Sequence, residues 1–98
     1  MNQSNFKIKE NSWLAKLAAK KLGNRSVAMV LGNTIHLHNT TSEEFLHNEK
    51  WVKHELCHIK QFKQHGYVCF IVKYLWESMN KGYYNNRFEV EARKAEEL

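Results

Sequence analysis

Apolar and polar residues alternate along this chain with two different periods, and the changes of period mark its elements. Trp13, Leu14, Leu17, Ala18 and Leu22 recur at helical spacing and predict one apolar stripe on a helix, with Ser12 as N-cap and Gly23 as the stop. The period then shortens. Ser26–Leu31 and Thr34–His38 are short runs rich in β-branched residues on either side of Gly32-Asn33, which predicts a hairpin. In its second run Ile35 and Leu37 alternate with His36 and His38, giving one buried face and one wet one. Ser42 is expected to cap a short turn through Phe45, after the polar connection 39–42.

The helical period returns after Asn48, the predicted N-cap of a helix from Glu49 to about His65 that stops at Gly66. Val52, Leu56, Ile59 and Phe62 supply its apolar side. Residues 67–80 are apolar on nearly every side, the pattern of a helix buried all round, and Lys81-Gly82 ends it. Asn86 is placed as the cap of a last helix, Arg87 to about Leu98. Residues 1–11 are polar and expected to be frayed. The sum is an α+β fold: a single, mainly helical domain over residues 1–98 with a small β-hairpin or sheet.

Composition changes this picture little. Hydrophobic and aromatic contents of 43% and 12% are those of a globular protein, and the absence of Pro suits helices. Charge is uneven. Lys7, Lys9, Lys16, Lys20, Lys21 and Arg25 stand against Glu10 alone, so residues 1–25 hold the whole net charge of +5. A solvated helix face accounts for that charge, and no nucleic-acid recognition motif accompanies it. Cys57 and Cys69 form no disulfide framework and are expected as buried, reduced thiols. No signal peptide is visible, and the longest apolar run, broken by Lys73, is too short to span a bilayer; a cytoplasmic location is the default expectation.

The chemistry lies in His54-Glu55-Leu56-Cys57-His58, a His-Glu-x-x-His motif on the predicted 49–65 helix. Residues four apart lie on one helix face, so the two imidazoles can share a zinc ion at about 2.0–2.1 Å. Glu55 would reach a water at that ion rather than the ion itself. Gln61, three residues past His58, falls near the same face, where it can hydrogen-bond a ligand or a neighbouring backbone. A catalytic zinc takes three protein ligands and keeps one open position. The last helix offers Glu89 and Glu91 near its start, whereas Glu43, Glu44, Glu96 and Glu97 read as exposed helix-end carboxylates. His36 and His38 read as solvated strand residues.

Taken in order, Gly32-Asn33-x-Ile35, His54-Glu55-x-x-His58-x-x-Gln61 and Glu89-x-Glu91-Ala92 make the chain resemble the zincin metallopeptidases, in particular the gluzincins and their small, single-domain minimal bacterial forms. The resemblance covers residues from about Val27 to Arg93. It implies a zinc-dependent peptidase in which His54, His58 and Glu89 hold Zn2+, with Glu91 the alternative third ligand, and Glu55 activates the zinc-bound water. It also implies that strand 34–38 forms the upper rim of the cleft, and it makes Tyr83 and Tyr84 candidates for stabilising an oxyanion. The implied partner is a peptide or protein substrate. Almost nothing follows the last helix, so a second copy or a partner chain could complete the cleft. Arg93 stands where related enzymes carry an acidic residue. The alternative reading is a non-catalytic, zinc-stabilised binding module, with Cys57, His47 or His65 closing the site.

Overall fold

A computed structural model describes residues 6–21, 23 and 25–98. Lys7–Lys9 form β1, Trp13–Lys21 α1, Val27–Leu31 β2 and Thr34–His38 β3. Four helices follow: α2 (Ser42–Leu46), α3 (Glu49–His65), α4 (Tyr67–Asn85) and α5 (Arg87–Ala95). The fold is α+β and mainly helical, as the sequence predicts.

The hairpin register pairs Leu31 with Thr34, leaving Gly32-Asn33 as a two-residue turn. Gly32 takes φ 65°, the left-handed region that a glycine-first hairpin turn requires. Tyr67 lies against this turn, so a Cβ on Gly32 would stand 3.1 Å from its ring. The sheet order is β1-β3-β2, with β1 parallel and β2 antiparallel to β3. Two sequence expectations change here. Residues 7–9 are not frayed but pair with Thr34–His36, and Phe6 and Ile8 pack on the core. In addition, β3 is the central strand, with both of its edges occupied. Residues 34–38 therefore do not form the rim expected of them, and β2 is an edge strand whose outer edge is left free of the sheet's other strands.

The sheet separates two apolar layers. On one side Ala15 and Ala19 of α1 pack on Val27, with Ala18 and Met29 beside them. Small side chains let the helix approach closely, so the buried face of α1 is the alanine face. Trp13 and Leu17, expected inside, point away from the sheet and are more than half exposed. Leu22 lies outside the described residues. On the other side Val30, Ile35, Leu37, Phe45, Ile59, Phe62, Phe70 and Phe88 form the main core between the sheet and helices α2–α5.

Helix ends follow local chemistry. Asn48 accepts from Trp51 N at 3.1 Å and Gly66 closes α3 with φ 86°. Asn86 caps α5 by accepting from Phe88 N at 2.9 Å, while its amide donates to Tyr74 O and Ser78 Oγ. The cap of α2 is Thr41 rather than Ser42. Thr41 Oγ1 accepts from Glu44 N and Glu44 Oε1 accepts from Thr41 N, a reciprocal capping box. Ser42 N–H is turned instead to Glu10 Oε2 at 2.7 Å.

The largest departure is α4. Gly82, at φ 81° and ψ 165°, breaks the helix where the sequence ends it. Before that break only Phe70 is buried, and Val68, Val72, Leu75, Trp76 and Met79 are exposed. A helix apolar all round is here buried along one narrow side, through the ring contacts of Phe70 with Phe62 and Phe88. Cys69 lies on the exposed side and Cys57 is half-buried, so the buried-thiol expectation fails for Cys69.

Candidate metal centre

Helical phase brings His54, His58 and Gln61 to one side of α3, at i, i+4 and i+7. Packing of α5 against α3 sets Glu89, buried to 4% exposure, opposite the two imidazoles. Glu89 Oε1 is 3.0 Å from His54 Nε2 and Glu89 Oε2 is 3.2 Å from His58 Nε2. The three residues offer ligand atoms that all lie within 4.8 Å of one another, a group that could hold a metal ion. Among the described residues no fourth His, Cys, Asp or Glu joins them.

Outer partners decide which ring nitrogens face inward. The Gln61 amide nitrogen donates to Glu91 Oε1 at 2.7 Å and to Phe88 O at 3.2 Å. That orientation turns Gln61 Oε1 to His58 Nδ1, at 2.8 Å, and a carbonyl oxygen can only accept. His58 Nδ1 therefore carries a proton. His54 Nδ1 donates to Glu96 Oε2 at 2.7 Å. With both Nδ1 atoms hydrogen-bonded outward, both Nε2 atoms face Glu89 and, without a metal, donate to its carboxylate; a bound ion would take the place of those two protons. Tyr74 completes the shell by donating its hydroxyl to Glu89 Oε2.

Electrostatics follow from this packing. Burial alone would push the Glu89 carboxyl up, but hydrogen bonds from His54, His58 and Tyr74 hold it well below the usual carboxylate range. Burial opposes charge on His54 and His58 as well, yet the facing carboxylates raise both above the ordinary imidazole value. Glu55 differs. It is 4% exposed, its Oε1 has no hydrogen-bond partner, and burial pushes its carboxyl up to about 8, with His58 opposing and Glu89 and Glu96 reinforcing. An unsatisfied buried carboxyl oxygen is costly in a fold unless something outside the chain meets it.

The group lies at the side of a cleft of about 660 Å3 that runs between β2 and α4. His54, Glu55, His58 and Glu89 supply its polar wall; Met29, Leu31, Phe62, Phe70, Ile71 and Leu75 supply much of the apolar remainder. A second, smaller hollow of about 260 Å3 adjoins His54 and Glu55 and is bordered by Trp51, Tyr83 and Glu96.

Of the residues singled out in the sequence, His54, Glu55, His58 and Glu89 come together. Glu91 does not join them: it is exposed and accepts from Gln61. Tyr83 borders both hollows beside His54 and Glu55, and burial and the facing Glu89 raise its hydroxyl pKa. Tyr84 turns away, with the Arg93 guanidinium 3.9 Å over its ring. His36 accepts or donates to Ser12 Oγ at 2.8 Å and belongs to the α1 side of the sheet. Cys57, His47 and His65 make other contacts, to Gln61, Glu43 and Lys73.

Two residues escaped the sequence reading. Glu96, which by sequence groups with the exposed helix-end carboxylates, is the C-cap residue of α5, seven residues and about two turns after Glu89, and that spacing brings it to the same side. Tyr74 gave no signal beyond its position one turn after Phe70 in an apolar run.

No family model, curated protein or solved structure matches the chain. No described helix is long and apolar enough to cross a membrane.

Proposed function

We propose that the chain is a zinc-dependent metallopeptidase. One observation carries this reading: Gln61 and Glu96 occupy the Nδ1 atoms of His58 and His54, so that two Nε2 atoms and the Glu89 carboxylate converge at the wall of an open cleft. Two imidazoles and one carboxylate, with no fourth His, Cys, Asp or Glu at hand among the described residues, are the donor set of an open catalytic site rather than a closed structural one. Zinc in such a site supplies Lewis acidity, polarising a carbonyl and making a nucleophile available near neutral pH.

The chain's own residues divide the remaining work. His54, His58 and Glu89 would hold the ion, oriented by Glu96, Gln61 and Tyr74. Glu55 has an unsatisfied oxygen and, without a metal, a carboxyl that burial keeps protonated; the charge of a bound cation would favour its carboxylate, which takes the proton of the attacking water and returns it to the leaving amine. The free edge of β2 can pair with an extended peptide laid along the cleft, by strand addition. Tyr83, rather than Tyr84, is placed to donate to a developing oxyanion.

Glu55→Gln tests this directly. The expected result is one zinc per chain retained, by elemental analysis, while hydrolysis of a denatured casein substrate falls by roughly 10²–10⁴-fold. Unchanged hydrolysis would remove Glu55 from the role of base. Zinc retained by a native chain that cleaves nothing would favour the non-catalytic binding module.

A further inference from the structure

The apolar outer face of α4 takes part in the cleft only through Leu75. At 100° per residue Val68, Val72, Leu75 and Met79 fall within about 60° of one another, on the side away from Phe70. Trp76 adjoins them, and Met79 and Trp76 are 82% and 65% exposed. So much contiguous apolar surface on one helix marks an interaction face. Leu75 connects it to the mouth of the cleft, and across that mouth stand Ala18 and Lys21 of α1.

Charge indicates what covers it. Residues 13–25 carry four basic side chains and no acidic one, and residues 60–87 carry five basic side chains against Glu77 alone. The other nine glutamates lie elsewhere in the chain. Lys16, Lys20 and Lys21 on α1 and Lys73 on α4 are exposed. Glu77 lies beside Lys81 and Arg87 and cannot neutralise both. Self-association through α4 would bring like charges together, so a second copy is disfavoured. Lys73 lies about 60° beyond Trp76 around α4, and Lys21 of α1 borders the cleft that Leu75 reaches; an apolar stripe edged by tryptophan and lysine is the composition of a helix lying in the plane of a lipid interface.

We propose that the outer face of α4, with the basic residues of α1 across the cleft, seats on an anionic lipid surface. The apolar stripe enters the headgroup boundary while the lysines meet the lipid phosphates and carboxylates. The cleft mouth is thereby presented to the bilayer. None of this depends on the metal or on hydrolysis.

Flotation of the intact chain with vesicles of phosphatidylcholine and phosphatidylserine tests it. Expected are binding that weakens as salt is raised, binding several-fold weaker to phosphatidylcholine alone, and a blue shift of tryptophan emission on binding. Val72→Ser with Met79→Ser, both exposed and outside the cleft, should weaken binding on the order of tenfold with an unchanged circular dichroism spectrum. No binding at low salt overturns the proposal, as does equal binding by the double variant. Two other results also overturn it: a dimer in sedimentation that the double variant abolishes, or binding to soluble polyglutamate as tight as to the anionic vesicles.

Discussion

Two faces of this small domain reverse the usual distribution of polarity. Between α3 and α5 His58, Gln61, Glu55 and Glu89 are buried beside a half-buried His54, each held by a named partner except one oxygen of Glu55. On the far side of α4 valines, a leucine, a tryptophan and a methionine are exposed. Hydrophobicity alone would exchange the two. The polar face is inside because its groups satisfy one another across helices, which removes most of the desolvation cost. The apolar face is outside because the core is already filled by Phe62, Phe70 and Phe88, and a helix can offer that core only one side.

The sharpest way to break the comparison is to mutate α4 on its two sides. Phe70→Ala removes a ring in edge contact with Phe62 and Phe88 and should cost about 3–5 kcal/mol of unfolding free energy. Val72→Ala, two residues on, should change stability by no more than about 0.5 kcal/mol. Denaturant unfolding of the metal-free chain measures both. Equal losses would mean that the outer face is covered in the native protein.

Acid–base behaviour sharpens the other face. His54 and His58 titrate above the ordinary imidazole value in the folded chain, so their stabilising contribution is complete below about 6.5 and is lost as pH rises through the folded values. Glu55 acts in the same direction. Its carboxyl, raised to about 8, keeps its proton in the folded chain where the unfolded chain has lost it, so folding weakens as pH climbs from 4.5 toward 8. Glu89, lowered, supplies stability above about 4.5 and loses it in acid. Metal-free protein should therefore be most stable near pH 4.5, where the Glu89 contribution is complete and the Glu55 contribution not yet lost, and lose on the order of a few kcal/mol by pH 8. In Glu55→Gln most of the Glu55 part of that fall should vanish. Thermal melts across this range in the presence of chelator give the answer; a rise in stability toward pH 8 would contradict the burial assigned to Glu55.

What the sequence made legible follows the same division. Local chemistry was readable: the Asn48 and Asn86 caps, the Gly32-Asn33 turn and the Gly82 break all rest on interactions within a few residues. The i, i+4 pair of histidines was readable for the same reason. Burial was misread wherever the partner is distant in sequence. Nothing near Trp13 says that Ala15 and Ala19 will take the sheet, and nothing near residues 67–80 says how much of that helix the core can cover. Strand 7–9 was missed because three residues with two lysines carry no apolar period; they pair because β3 offers an edge 25 or more residues away. Thr41 and Ser42 are neighbours that cap equally well by type, and Glu44 lying three residues after Thr41 decides between them.

The finest test separates two adjacent glutamates that the sequence treats alike. Glu96 accepts from His54 Nδ1 at 2.7 Å and is half-buried, whereas Glu97 reaches only the exposed Lys50, at 3.7 Å. An acceptor behind a metal-binding histidine fixes its tautomer and raises its basicity, and losing one typically costs 10–100-fold in metal affinity. An exposed ion pair is worth little and is screened by salt. Glu96→Ala should thus weaken Zn2+ binding by roughly 10–100-fold, in competition with a chromogenic chelator, while Glu97→Ala leaves it unchanged. The two variants remove the same charge from the same turn, so a loss that depended on net charge would appear in both. A difference confined to Glu96 isolates the contact with His54, and with it the tautomer on which the convergence of the two Nε2 atoms depends.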